Sequence, residues 1–272
     1  MAEQDIDPTL DRIYDALDAG EHERALGLVG EALEALPEGE DDPVLRVLAG
    51  FALLEMDQPE DAAEQLALAV GRDPEDAEAR AALALALFRC TRFAEATEHA
   101  KRAVEADPKS PDALNVRALL LEREGETTEA DRLFERAAKL DGERYPAPVR
   151  FDQTAFEAEV VRAGESLPAE FRRRLGEVAV MVEDLPSDAV LHDDVPPLDP
   201  ELLGLFVGTA LTERTFSGPS AEPPRILLFK RNLERFVEDA DRLREEIART
   251  LHHELGHYLG MDEDGLEQID LA

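Results

Sequence analysis

What most restricts the fold of this chain is a repeat of thirty-four residues in its first half. Ala62, Ala96 and Ala130 recur at that interval, as do Ala69, Ala103 and Ala137, and then Pro74, Pro108 and Gly142. Half a repeat earlier Gly50, Ala84 and Ala118 fall in step, followed by Leu53, Leu87 and Leu121. The pattern runs backward through Ala25, Val29, Ala32 and Pro37, where the step lengthens to 37 because three residues are added in the acidic loop at 38–42. Small side chains at one recurring position let two helices cross closely, large ones fill the gap beside them, and a proline ends each second helix because it cannot continue the hydrogen-bond ladder. The period therefore describes a tandem helix-turn-helix array in which each unit buries its apolar face on its neighbours.

Over 7–142 these residues resemble the tetratricopeptide repeat (TPR) family, with Leu53, Leu87 and Leu121 standing where that family usually has an aromatic residue. The resemblance implies an α-helical superhelix with a concave groove that takes a protein or peptide ligand. Arg80, Asn115 and Arg117 fall on first helices and are expected to line that groove.

At 272 residues and 44% hydrophobic composition the chain can support two domains, each with its own core. Its formal charge of −34 argues against a nucleic-acid partner, since neutralising phosphates takes clustered Lys and Arg. Only four of the 29 basic residues are lysine, and the acidity is spread along the chain, as suits solubility. Cys90 is the only cysteine, so neither a disulfide nor a thiolate cluster can form within the chain, and a small core residue in a helix is its plain reading. No run of about 18 apolar residues occurs, and the start has no basic stretch leading into an apolar one. The expectation is a soluble, cytoplasmic protein with no membrane partner.

The periodicity ends in a stretch with two prolines in four residues, Tyr145 to Pro148, which reads as a linker before a second domain at 149–272. There 154–167 reads as a helix ending near Gly164, 177–186 as a valine-rich strand, and 223–232 as a strand entered through Pro223 and Pro224. Proline cannot donate to a sheet ladder, so that second strand is expected at an edge. A long helix over 238–260 completes a small α+β domain.

On the last helix Leu243, Ile247, Leu251, Leu255 and Leu259 repeat every fourth residue and must face a core. His253 and His257 each lie two residues beyond a stripe position, a rotation of about 200°, so the pair projects away from the buried seam one turn apart. Imidazoles at this spacing can take adjacent corners of a tetrahedral Zn²⁺ shell, and Glu254 between them is placed to accept a proton from an attacking water. This is the HExxH arrangement. A catalytic zinc site needs a third protein ligand, and the extended form of the motif puts it ten residues after the first His, at Glu263, with Asp262 and Asp264 as flanking rivals. Two histidines and a carboxylate also suit Fe²⁺. His252 is turned about 100° from His253 and reads as packing, while His22, His99 and His192 are scattered and read as surface or helix-face residues.

With this motif on the page, 156–271 resembles the small bacterial zincin-like metallopeptidases of the minimal zincin fold, in order through the whole domain. The resemblance implies a short sheet beside the metal helix, His253 and His257 as metal ligands, Glu254 as catalytic base, and peptide-bond hydrolysis. An enzyme whose array recruits a protein substrate or partner is one reading. The other is a TPR scaffold whose zinc only holds the C-terminal helix in place, although a purely structural site would have no use for Glu254.

Overall fold

The computed structural model describes residues 8–37, 40–193, 195–211 and 223–261. The chain divides into two compact units, Met1–Tyr145 and Pro146–Ala272.

The first unit is a stack of helix pairs: α1 (Pro8–Asp18) with α2 (His22–Glu34), α3 (Pro43–Glu55) with α4 (Pro59–Arg72), α5 (Ala77–Arg89) with α6 (Phe93–Ala106), and α7 (Pro111–Arg123) with α8 (Thr127–Leu140). Three of the first helices begin on a side-chain cap that satisfies otherwise orphaned N–H groups. The Asp42 carboxylate accepts from the Val44 amide at 2.8 Å, Asp76 from Glu78 at 2.9 Å, and the Ser110 hydroxyl from Ala113 at 3.2 Å. The recurring small positions are all in the core: Ala62, Ala96 and Ala130 are fully buried, as are Ala84 and Ala118. At Gly50 the need is strict, because a Cβ there would lie 2.4 Å from Cγ of Leu66. One repeat later the equivalent of Leu66 is Ala100, and Ala84 replaces the glycine.

The period also governs the turns. Gly20, Asp57, Thr91 and Gly125 have φ of 72°, 54°, 58° and 81°, so each pair turns through one left-handed residue at steps of 37, 34 and 34. Two of the four carry a side chain in a region that suits glycine, and Thr91 is β-branched as well.

The groove expectation changes for Arg80. Arg80 is 5% exposed, with its Nε donating to the Pro74 carbonyl at 2.5 Å, and Arg117 is paired with Glu124 through both guanidinium nitrogens at 3.0 and 3.1 Å. The Arg80 guanidinium group is thus engaged by the end of the preceding repeat and that of Arg117 by an acid at the end of its own helix; Asn115 is half-buried. Cys90 is half-buried at the end of α5, and burial pushes its thiol up to about 11, which suits a packing residue and not a nucleophile.

The second unit runs α9 (Gln153–Ser166), α10 (Ala169–Leu175), β1 (Ala179–Glu183), α11 (Asp188–Leu191), β2 (Gly204–Val207), β3 (Arg225–Phe229), α12 (Lys230–Phe236) and α13 (Ala240–Leu259). Its three-stranded mixed sheet has the order β1-β3-β2. β1 lies parallel to β3, from Ala179 opposite Arg225 to Glu183 opposite Phe229, and β2 lies antiparallel, with Gly204 opposite Leu228 and Val207 opposite Arg225. The strand entered through Pro223 and Pro224 is therefore central, not an edge. The prolines stop just short of the ladder, where Pro224 contributes only its carbonyl, to the Ala179 amide at 3.3 Å. From Ile226 to Phe229 the strand is buried throughout, as a strand covered on both faces must be.

Ile226 and Leu228 join Phe156 and Val160 of α9 and the leucine seam of α13 in one apolar core. Glu234 anchors the start of this unit. It is completely buried and accepts from Lys230 Nζ at 2.6 Å, from Arg150 at 3.0 Å and from the Phe151 amide at 2.9 Å, so its charge is fully paired.

Relieving the left-handed turn at Thr91 should stabilise the first unit. Left-handed backbone costs a side-chain-bearing residue about 1–2 kcal/mol, and glycine returns about half of that gain as unfolded-state entropy. Thr91→Gly is expected to raise stability by up to about 1 kcal/mol, read from urea unfolding followed by circular dichroism. A lower midpoint would mean that the threonine's own contacts outweigh its strain.

Candidate metal centre

The helix that carries the motif is fixed at both ends. The Asp239 carboxylate caps α13 by accepting from the Asp241 and Arg242 amides at 2.8 Å each. Gly260 leaves the helix with φ 82°, and the Met261 amide closes back on the Gly256 carbonyl at 3.1 Å. Between these caps Leu243, Ile247, Leu251 and Leu255 are completely buried, and Leu259 is partly so.

With that seam inward, His253 and His257 come out half-buried on one side, with ring centroids 4.7 Å apart and planes at 80°. Their Nε2 atoms are 3.0 Å apart. Two imidazole nitrogens on one tetrahedral zinc at about 2.0–2.1 Å would be separated by about 3.3 Å, so the pair needs only a few tenths of an ångström to accept an ion. The donor chemistry and the spacing both fit zinc.

Glu254 is 8% exposed, and one of its carboxylate oxygens accepts from the Phe206 amide at 2.6 Å. That amide lies on the side of β2 turned away from β3, since the Leu203 carbonyl, an odd number of residues away, faces β3 by accepting from Phe229 at 2.9 Å. β2 can lie this close to α13 because Gly204 has no side chain: a Cβ there would meet Thr250 Cγ2 at 2.5 Å and Glu254 Cγ at 3.1 Å. Beneath the strand the Phe206 ring packs on the fully buried Tyr258 at 5.8 Å, and the Tyr258 hydroxyl donates to Glu177 at 3.3 Å. Leu205, Phe206, Gly208, Ala210, Glu254 and His257 enclose a cleft of about 410 Å³.

Of the residues singled out from sequence, His253 and His257 thus come together through their Nε2 atoms, and Glu254 and His257 line the cleft beside β2. Glu263, with its rivals Asp262 and Asp264, lies outside the described residues; among the described ones no third His, Cys, Asp or Glu joins the two imidazoles. His252 is turned to α9, its Nε2 at 3.2 Å from the Ala163 carbonyl, as a packing residue should be. His99 is held below the usual imidazole range by burial and then by Arg80 and Arg102, and His192 is exposed with Nδ1 at 2.8 Å from the Asp188 carbonyl. Sequence reasoning passed over Gly204 and Phe206. An isolated glycine in an apolar stretch was the available signal, since it marks close approach of another element.

Residues 175–272 match the family described as zincin-like metallopeptidase, and residues 48–111 and 91–146 match the tetratricopeptide repeat family. The chain joins tetratricopeptide repeats to a zincin-like metallopeptidase domain. Similar solved structures include YrrB, a TPR protein with an unusual peptide-binding site, at 21% identity over 50% of this chain and 68% of that one, with a TM-score of 0.41. MamA from Desulfovibrio magneticus RS-1 is similar at 22% identity over 49% and 74% of the two chains, with a TM-score of 0.42. A thermophilic TPR protein in Thermus thermophilus is similar at 22% identity over 49% and 73%, with a TM-score of 0.43. No curated protein matches the chain.

The seat of β2 on the zincin-like domain's last helix is open to test at Gly204. Gly204→Ala is expected to destabilise this unit by about 1–3 kcal/mol through overpacking and to lift the Phe206 amide from Glu254. Hydrogen exchange at Phe206 should then quicken relative to the other β2 amides, and unchanged exchange there would contradict the role given to the glycine.

Proposed function

We propose that the C-terminal domain is a zinc-dependent peptidase and that the repeat array recruits its protein substrate or a protein partner. The observation that carries this reading is the convergence of the His253 and His257 Nε2 atoms, 3.0 Å apart, beside a Glu254 carboxylate that the Phe206 amide holds at the cleft. His253 and His257 hold the ion, with Glu263 as third ligand and Asp262 or Asp264 as the alternatives. Zinc, when bound, supplies Lewis-acid polarisation of the scissile carbonyl and lowers the pKa of a coordinated water toward about 7.

The remaining work falls to side chains and backbone. Glu254 accepts the proton of the attacking water and returns it to the leaving amine, and the amide of Phe206 restrains its carboxylate in one orientation. The cleft lined by Leu205, Phe206, Gly208 and Ala210 receives the peptide beside Glu254 and His257. The repeat array contributes affinity for a protein ligand, as the stacked architecture suits. A net charge of −34 makes nucleic acid an unsuitable partner, and among the described residues no helix is long and apolar enough to cross a membrane.

Metal content tests the ligand set. The purified protein should hold one zinc by elemental analysis, His253→Ala and His257→Ala should each remove it, and Glu263→Ala should weaken it more than Asp262→Ala. The reverse order for the two acids would move the third ligand to Asp262 and leave the site standing.

Glu254→Gln separates catalyst from scaffold, because it keeps size and hydrogen bonding while removing the base. It should retain zinc and melting temperature yet cleave a peptide library about 10²-fold more slowly or worse. Equal cleavage by wild type and variant would reject Glu254 as the base. A domain that unfolds outright on chelation, with no cleavage by the wild type, would favour the scaffold reading.

A further inference from the structure

The zincin-like domain has a second groove, on the opposite edge of its sheet from Glu254. In the parallel ladder the Ala179 amide donates to Pro224, so Ala179, Met181 and Glu183 turn their peptide groups toward β3, and Val180 and Val182 turn theirs outward. No strand among the described residues pairs with that outer edge. The side chains of Val180 and Val182 run directly into a groove of about 460 Å³, walled by Val160 and Val161 of α9, Leu175 of α10 and Leu251 of α13. Val161 is 59% exposed, which leaves that wall of the groove open to solvent.

Charge selects among possible occupants. Glu157 and Glu165 of α9 stand at the rim, both exposed, against one cation, Arg172, which already donates to the Leu167 carbonyl at 3.2 Å. A second copy of a chain carrying −34 would bring the same charges to the same edge. We propose that this edge and groove form an exosite for an extended peptide segment that is apolar at its centre and basic on either side, docked as an added strand along β1. Side chains at alternate positions of such a strand share the face of Val180 and Val182, so a central aliphatic residue enters the groove while residues two before and two after it meet Glu157 and Glu165. The spans agree: eight residues along a helix cover about 12 Å, and four along a strand about 13 Å. This inference does not depend on whether the motif hydrolyses peptides.

The test is a titration of the full chain, labelled with nitrogen-15, with a synthetic heptapeptide of threonine bearing central isoleucine and lysine two places to each side. The Val180 and Val182 amides are expected to shift on titration. Methylating the peptide's alternate backbone nitrogens should abolish that shift, exchanging its lysines for glutamates should abolish it too, and Glu157→Lys with Glu165→Lys should weaken binding at least tenfold. The peptide variants leave the protein untouched, so folding of the double variant cannot decide the matter. Equal binding by the methylated peptide, or by one of the same composition with its lysines adjacent, would overturn the exosite in favour of nonspecific attraction to an acidic surface. Val180 and Val182 amides that shift on dilution of the protein alone, with a dimer in light scattering, would overturn it in favour of a second copy.

Discussion

Everything at the candidate centre follows from the burial of one seam on α13. Four fully buried aliphatic side chains, Leu243, Ile247, Leu251 and Leu255, contribute about 1.5–3 kcal/mol each, against the ~0.5–1.5 kcal/mol of an ordinary hydrogen bond. The seam therefore decides how the helix is rotated, and the polar contacts adapt to it. Once those residues face the core, positions two further along must emerge on the other side, which brings His253 and His257 into register. Glu254, one step round from His253, is left against the rim of the sheet, where an amide can reach it.

The short sheet then acts as a ruler. β3 is buried from Ile226 to Phe229 and sits in the middle, with β1 and β2 as its two neighbours at the sheet edges, and these edges have different environments. β2 lies against the motif helix because Gly204 lets it approach, and its outward amide meets the Glu254 carboxylate. β1 borders an apolar groove with an acidic rim, walled by α9, α10 and Leu251 on the seam of α13. A single three-stranded sheet thus presents one edge to the motif and keeps the other away from it. Substitutions at Val161 or Glu165 and substitutions at Gly204 should act on separate surfaces.

In the repeat unit the governing constraint is close helix crossing. Alanines at the small positions leave no room for a larger side chain, and at Gly50 there is no room even for a Cβ beside Leu66. Tight stacking has a backbone consequence, since each pair reverses direction through one left-handed residue whatever its identity. Arg80 illustrates the same pressure on side chains: a residue on a first helix, expected to meet a ligand, is instead buried and donates its Nε hydrogen to the carbonyl of Pro74.

The helix pairs, the α+β second half, the long last helix and the orientation of its histidines were all legible in the sequence, because each rests on spacing along one element, and helical pitch converts spacing into direction without reference to anything distant. The turn strain at Thr91, the central place of β3, the inward fate of Arg80 and the pairing of Glu254 with Phe206 were not. Each of these depends on which element lies alongside, a relation between residues far apart in the chain: Phe206 and Glu254 are joined across 48 positions. Local pattern said that two prolines suit an edge strand, and the sheet placed that strand in the centre because the ladder begins one residue after them. Sequence determined which faces are apolar and which residues could bind a metal; tertiary packing decided what each face meets, since the free energy of burial has no direction until a partner surface supplies one.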